Sequence, residues 1–392
     1  MKNNFIMKYN IRCNEHDINN SDINFVNKVL KSNNLTQGKK VDLFEKNLAK
    51  YVNSRFALVL NSCTSALFLA CKAIGIKKND LVWTTPISFV ATSNSALYCG
   101  AKIEFIDIDY QTLNIDLNLL EKKLRNSNKK PKLIIIVHLA GNVVDYQKIN
   151  YLKKKYKIKI IEDACHALGA KYKNEKVGSS KYSDITCFSF HAIKNITTGE
   201  GGAITTNNKN YYEKINLLRS HGINKNKNHN KILPQELFYH QNMLGFNFRM
   251  TDIQSSMGIS QLKRLNSNLI HKNRLQKIYF EGLKNINQIT FQKKINFSYS
   301  GNHLFIIKVS NKLRNKLFEF LKKKKIECKF HYIPIYRHQY YRKLINTKIK
   351  NFKFSEKYFR DGLSLPMHNK LKKKDVINVI SNIKVFFDDK NK

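Results

Sequence analysis

The sequence predicts an α/β fold with a mainly parallel central sheet and a smaller second unit after it. From Phe56 to about Asn207, short β-branched runs alternate with helical patterns, the signature of strand–helix–strand units. Within that stretch, Leu133–Val137 and Ile158–Ile161 are apolar runs of the kind that strands buried on both faces show. After Met250 the pattern changes to long helices and Lys-rich segments.

Taken in order, Phe56–Leu60 is the first expected strand, and Thr64–Ile74 follows with helical composition. Leu81–Thr84 reads as a strand, Ser88–Tyr98 as a helix and Lys102–Ile106 as a strand. Leu133–Val137, Ile158–Ile161, Ile185–Ser189 and Ala203–Thr205 complete the set. Beyond it, Asp252–Leu265 and the stretch to Leu283 are expected to be helical. Strand candidates lie near His303–Val309 and Glu327–Tyr332, and a closing helix near Val376–Phe387. The division expected is a large α/β domain over residues 1–250 and a small C-terminal α+β domain over 251–392. No Gly/Ser linker or internal repeat marks the boundary.

Composition narrows the function classes. With 392 residues, 42% of them hydrophobic, the chain can bury a real core. Its 70 Lys+Arg against 28 Asp+Glu give a formal charge of +42. Short Lys runs such as Lys322–Lys325 and Lys372–Lys374 recur along the chain, and no basic block alternates with stacking aromatics. The charge therefore reads as composition bias, and no nucleic-acid partner is expected; a basic surface still attracts anionic small molecules. The seven cysteines show no CxxC spacing, which argues against a metal centre or a disulfide framework. Met1–Asn20 lacks the apolar stretch of a signal peptide, and the longest apolar run is too short to span a bilayer. No membrane partner and a cytoplasmic location are expected.

Four segments carry candidate chemistry. In Ile158-Lys-Ile-Ile-Glu-Asp-Ala-Cys-His, a strand delivers Asp163 at its carboxyl end, where open α/β sheets bind ligands, with His166 three residues on. An acid there can hold a proton on a ligand's ring nitrogen; alone, Asp163 is as readily a helix cap. In Cys187-Phe-Ser-Phe-His-Ala-Ile-Lys, an apolar strand leads into a loop bearing Lys194, followed by the turn Gly199-Glu-Gly-Gly202. Desolvation makes such an amine a Schiff-base nucleophile, although a solvated surface lysine is the commoner case. Asn61-Ser-Cys-Thr-Ser-Ala-Leu ends a strand in hydroxyl residues that open a helix, a natural phosphate seat or simply a cap. Thr84–Thr92 offers Phe89, which can stack on a planar ring or serve the core. Together these supply what pyridoxal 5'-phosphate (PLP) chemistry needs: a lysine, an acid for the ring nitrogen, a phosphate seat and a stacking ring.

The order of these motifs resembles the sugar aminotransferases of the DegT/DnrJ/StrS family, over nearly the whole chain. Its carriers are Asn61–Leu67, Thr84–Thr92, Glu162–Gly169, Phe188–Gly202, Arg219–Gly222 and Gly245–Gln254. Leu35–Lys39, Phe190–Lys194, Phe330–Tyr336 and Ser364–His368 resemble the members that work in pseudaminic acid biosynthesis. The resemblance implies the type I PLP fold and a homodimer. It implies transfer of an amino group from L-glutamate to a UDP-4-keto-6-deoxy-N-acetylhexosamine, giving UDP-4-amino-4,6-dideoxy-N-acetyl-β-L-altrosamine. By the same resemblance, Lys194 links the cofactor, Asp163 pairs with its ring nitrogen, His166 sits near its ring hydroxyl and Phe89 stacks on it. Thr64, Ser65 and Ser189 hold the phosphate, and Asn247 comes from the partner subunit. Sugar-nucleotide contacts fall on Tyr9, on Asn33, Asn34, Leu35 and Thr36, on Cys63, and on Lys329, Phe330, His331 and Tyr332. Cys63 departs from the small Ala or Gly usual there. Bacillosamine- or perosamine-type amination is the alternative. A sugar dehydratase is disfavoured because such members carry His in place of the lysine present at 194.

Overall fold

Seven strands form the central sheet of the computed structural model, which describes residues 8–224, 234, 239–310, 312–345 and 349–388. They are β1 (Phe56–Leu60), β2 (Leu81–Thr84), β3 (Lys102–Phe105), β4 (Leu133–Val137), β5 (Lys159–Asp163), β6 (Ile185–Ser189) and β7 (Gly202–Thr206). Their spatial order is β1-β7-β6-β5-β4-β2-β3. β3, β2, β4, β5 and β6 run parallel, and β7 is antiparallel to both β6 and β1. The sheet is α/β and mainly parallel, as the alternation of runs predicts.

The apolar run of β4 has a direct physical reason. Successive side chains of a strand point to opposite faces. Leu133 and Ile135 pack into the core containing the helix Cys63–Ile74, whereas Ile134 and Ile136 pack into a second core on the other face. Both faces are covered, so every β4 position is apolar and buried. Burying each such side chain stabilises the fold by roughly 1.5–3 kcal/mol.

The helix Cys63–Ile74 starts where Ser62 caps it by accepting the Ser65 N–H, and it ends at Gly75, whose φ of 87° is a left-handed cap. The next expected helix is shorter than its pattern suggests, Ala91–Leu97, and no side chain caps its start.

The second sheet is antiparallel and three-stranded, Ile289–Phe291, Phe305–Val309 and Gly362–Leu365 in that order. Glu327–Tyr332, expected as a strand, is not one: only Lys329 makes a bridge, to Ser364. The real partner, Gly362-Leu-Ser-Leu365, has no β-branched or aromatic residue to announce it. The closing helix is Lys373–Asp388.

Residues 251–392 contribute both to a core against the central sheet, with Val59, Phe188 and Ala203, and to a separate core against the three-stranded sheet, with Ile307 and Leu363. Asp252–Lys263 lies against the helices Asn20–Leu30 and Lys39–Val52. The helix Leu265–Leu283 begins with Leu265 and Leu269 in the core against the central sheet and ends with Leu275, Tyr279 and Leu283 in the core against the three-stranded sheet. Among the described residues no helix is long and apolar enough to cross a membrane.

Candidate active site

The parallel strands β4, β5 and β6 end on one cavity of about 490 Å³. Val137, Asp163 and Ser189, their last residues, line it. Its other walls come from the helix start at Ser62–Thr64, from Ser88 and Phe89, from the loop bearing Lys194, and from His331 and Tyr332. Two larger clefts, of about 720 and 970 Å³, reach neither Lys194 nor Asp163.

Asp163 is 5% exposed. Its Oδ2 accepts the Thr92 hydroxyl at 2.6 Å and its Oδ1 accepts the Cys165 N–H at 3.2 Å. The Thr92 oxygen is also 2.6 Å from Ser88 Oγ. A threonine has one hydroxyl proton, and here it goes to the carboxylate. Ser88 must therefore donate to Thr92, which makes a two-hydroxyl relay ending on Asp163. The i, i+4 spacing of Ser88 and Thr92 was the signal available for it in the Thr84–Thr92 segment.

Lys194 sits five residues beyond β6, half-buried at the cavity, with its N–H donated to the His191 carbonyl at 2.9 Å. The Gly-rich turn that follows has a steric basis. A Cβ on Gly202 would lie 2.5 Å from the Cys63 backbone nitrogen, so β7 passes the helix start at backbone contact.

His166 faces the same space. Its Nδ1 accepts the Ala140 N–H at 3.2 Å, which leaves Nε2 as the protonated nitrogen, donating to the Tyr332 oxygen at 3.1 Å. Burial first, then the charges of Lys194 and His331, hold the His166 imidazole well below its ordinary pKa. Burial likewise brings His331 down to about 3, with its Nδ1 2.8 Å from Ser364 Oγ. The His303 ring lies 4.4 Å from that of His166, tilted by 39°, and is held low chiefly by burial. Burial also raises the Tyr332 phenol.

At the helix start, Thr64 is exposed to the cavity while Ser65 is turned away from it. The Ser65 hydroxyl donates to Asn61 Oδ1 at 2.7 Å, and its N–H is taken by Ser62. The Ser189 hydroxyl accepts the His191 N–H at 3.3 Å. Cys63 and Cys165 bring their sulfurs to 3.1 Å. The Cys63 contact and burial push the Cys165 thiol well up. These two sulfurs and the Asp163 carboxylate lie within 4.8 Å of one another, but both Asp163 oxygens already accept hydrogen bonds.

The structure thus brings together Lys194, Asp163, His166, Phe89, Thr64, Ser189, Cys63, His331 and Tyr332. Other candidates stand apart from the cavity. Phe330 turns into the second unit, its ring 5.7 Å from Tyr358 and 5.4 Å from Phe359. Lys329 reaches Glu327 at 3.4 Å. Tyr9 precedes a segment pairing Asn10 and Ile11 with Lys325 and Ile326. Asn33, Asn34, Leu35 and Thr36 form an exposed turn tied to Thr251 and Asp252. Asn247 is exposed, its backbone bridged to Ser220. Thr92, Ser88 and Cys165 are the residues that sequence reasoning did not single out.

Residues 16–384 match the model of the DegT/DnrJ/EryC1/StrS aminotransferase family. The chain belongs to this family. The aminotransferase is 40% identical over 369 residues to a UDP-4-amino-4,6-dideoxy-N-acetyl-beta-L-altrosamine transaminase of Campylobacter jejuni, covering 93% of this chain and 94% of that one. Helicobacter pylori PseC, an aminotransferase involved in the biosynthesis of pseudaminic acid, superposes with a TM-score of 0.89 at 35% identity, over 97% of this chain and 99% of its own. The PMP form of Spr1654 from Streptococcus pneumoniae, 29% identical, gives a TM-score of 0.89 over 96% of this chain and 98% of that one. The same protein is also known in a PLP form.

Proposed function

We propose that this aminotransferase moves an amino group from L-glutamate to C4 of UDP-2-acetamido-2,6-dideoxy-β-L-arabino-hex-4-ulose. The product is UDP-4-amino-4,6-dideoxy-N-acetyl-β-L-altrosamine, used for pseudaminic acid. The identity to transaminases of that name from Campylobacter jejuni and Helicobacter pylori supports the substrate, at 40% and 36%. The cavity joining Lys194 to Asp163 is the observation that carries the reaction class.

PLP fits the residues present. Asp163 is a buried acceptor at the cavity floor, Phe89 is 60% exposed with its ring 6.2 Å from that of Tyr332, and the helix start at Ser62–Thr64 opens on the same space. Lys194 would hold the cofactor covalently, Asp163 would accept its ring N–H, Phe89 would cover its face, and Thr64 and Ser189 would meet its phosphate. When bound, it supplies an electron sink that lets a C–H bond beside the amine break heterolytically. Thr92 and the Cys165 N–H fix the two Asp163 oxygens. Once released by the incoming amine, Lys194 Nζ would take the proton from glutamate Cα and deliver one to the sugar C4 in the reverse half-reaction. His166, neutral and with Nε2–H committed to Tyr332, adds no positive charge to the site. The exposed Asn247 supports a homodimer in which the partner subunit completes the phosphate site, and the exposed turn 33–36 would meet the sugar nucleotide from the rim. A cytoplasmic location belongs to the same proposal.

Incubation with the UDP-4-keto sugar and L-glutamate, read by mass spectrometry and NMR, should give the 4-amino sugar and 2-oxoglutarate. Amination of a GDP-4-keto sugar in preference would overturn the substrate, since GDP-perosamine synthases are also among the relatives, at 33% identity. Failure to form 2-oxoglutarate with any keto sugar would overturn the reaction.

A further inference from the structure

We propose that Lys272 is a positioning residue for Lys194, a buried amine that anchors the cofactor-bearing loop to the helix Leu265–Leu283. The inference rests on the reading of Lys194 as the cofactor lysine. Lys272 lies midway along the helix Leu265–Leu283, at the point where that helix leaves the first core and enters the second. It is 3% exposed, and among the described residues no carboxylate is within ion-pair reach of it. Its Nζ instead donates to Asn195 Oδ1 at 2.7 Å and approaches the Gly301 carbonyl at 3.4 Å.

Asn195 is the residue next to Lys194 and is itself buried. Its Nδ2 donates to the carbonyls of Leu168 and Gly301, both at 2.9 Å. Two carbonyls on one side and the Lys272 amine on the other leave the Asn195 amide a single orientation. The loop is thereby held from three directions: Leu168 after the Asp163–His166 segment, Gly301 in the strand connection, and Lys272 on the crossing helix. Gly301 extends the chain of contacts, since its N–H reaches Gly141 while His303 N–H reaches Ala140, and Ala140 N–H orients His166. One node therefore ties Lys194's neighbour to the backbone that sets the His166 tautomer.

An apolar side chain of the same length would fill this space without desolvating a charge. Burial alone brings the Lys272 amine down to about 7, a sign of how unfavourable the site is for charge. What the amine adds over such a residue is the pair of hydrogen bonds to Asn195 and Gly301. An anchored loop presents Lys194 in one geometry, and that bears on rates more than on substrate affinity.

The test compares Lys272→Met, Lys272→Arg, Asn195→Ala and the double variant Lys272→Met/Asn195→Ala. Readouts are the rate at which apoprotein takes up PLP covalently (visible absorbance), the thermal midpoint of the apoprotein, and the separate kcat and KM for glutamate. Wild-type uptake checks the underlying reading; no uptake by wild type overturns both. With uptake established, Lys272→Met should slow it about tenfold and lower kcat similarly with KM nearly unchanged, and Lys272→Arg should recover part of the loss. Asn195→Ala should do the same, and the double variant should be no worse than either single one. If Lys272→Met does not fold, Asn195→Ala alone must show the tenfold slowing. A lower thermal midpoint with wild-type uptake, or additive effects in the double variant, would overturn the proposal.

Discussion

The floor of the cavity and its roof treat charge in opposite ways. On the floor, Asp163 takes two donors, the Thr92 hydroxyl and the Cys165 N–H, and a lysine stands across from it. On the roof, His166 and His331 are buried and held below the ordinary imidazole range, as is His303 beside His166, with the Tyr332 phenol raised. One wall is built to face a cation and the other to remain neutral. A ring whose nitrogen carries a proton on one side and whose oxygen lies on the other is matched by such a pair of walls. The lesson is that a site's electrostatics is divided between its elements: here the strand ends supply the carboxylate, while the loops around them supply neutral hydrogen-bonding groups.

Substitutions on the floor should have the largest effects. Lys194→Ala should lower kcat by at least about 10³-fold, since proton transfer by a placed group contributes 10²–10⁴-fold. Steady-state turnover with glutamate checks it; a loss under tenfold would remove the floor from the chemistry. Asp163→Asn should keep the fold and cost about 10²–10³-fold in kcat, because the amide is a neutral partner for a ring cation. Thr92→Val removes the hydrogen bond to Asp163 and should cost about 10- to 100-fold, in line with the roughly 1.5–3 kcal/mol of a bond to a charged group. An unchanged rate would show that the relay from Ser88 is incidental.

The roof should be felt as pH-dependent stability more than as rate. For His331 the folded pKa, about 3, lies below the unfolded value near 6.5, so between these pH values the unfolded chain binds more protons. Stability should be present in full above about pH 6.5 and fall as the pH is lowered toward 3. Denaturant titrations of wild type and His331→Asn should differ in slope across that window, the variant being the flatter. Lys272 acts in a separate window with the same sign: its folded value of about 7 lies below the unfolded one near 10.4, so stability should rise with pH between them. Lys272→Met should remove that rise.

Much of the floor could be read from the sequence because it is local. Asp163 ends an apolar run, Lys194 follows another, and Phe89 and Thr64 each follow a strand by a few residues. The central sheet was legible for the same reason, since burial on both faces leaves unbroken apolar runs. Apart from His166, the roof was not legible in that way. His303 and Ala140 come from segments with no motif, and Tyr332 and His331 entered only through family resemblance. Glu327–Tyr332 has the composition of a strand but pairs at one residue, whereas Gly362–Leu365 pairs along its length without strand-like composition. Phe330 shows the limit of transferring a contact by position, because its ring is engaged by Tyr358 and Phe359 on the far side. Lys272 was invisible among so many lysines: only burial and the Asn195 contact distinguish it.

The link between Lys194 and the cofactor is the central claim, and reduction with borohydride tests it most directly. Protein incubated with PLP, reduced, digested and sequenced by mass spectrometry should carry the pyridoxyl group on the peptide containing Lys194. A label on Lys272 or another lysine with Lys194 unmodified, or no label at all, would contradict the account.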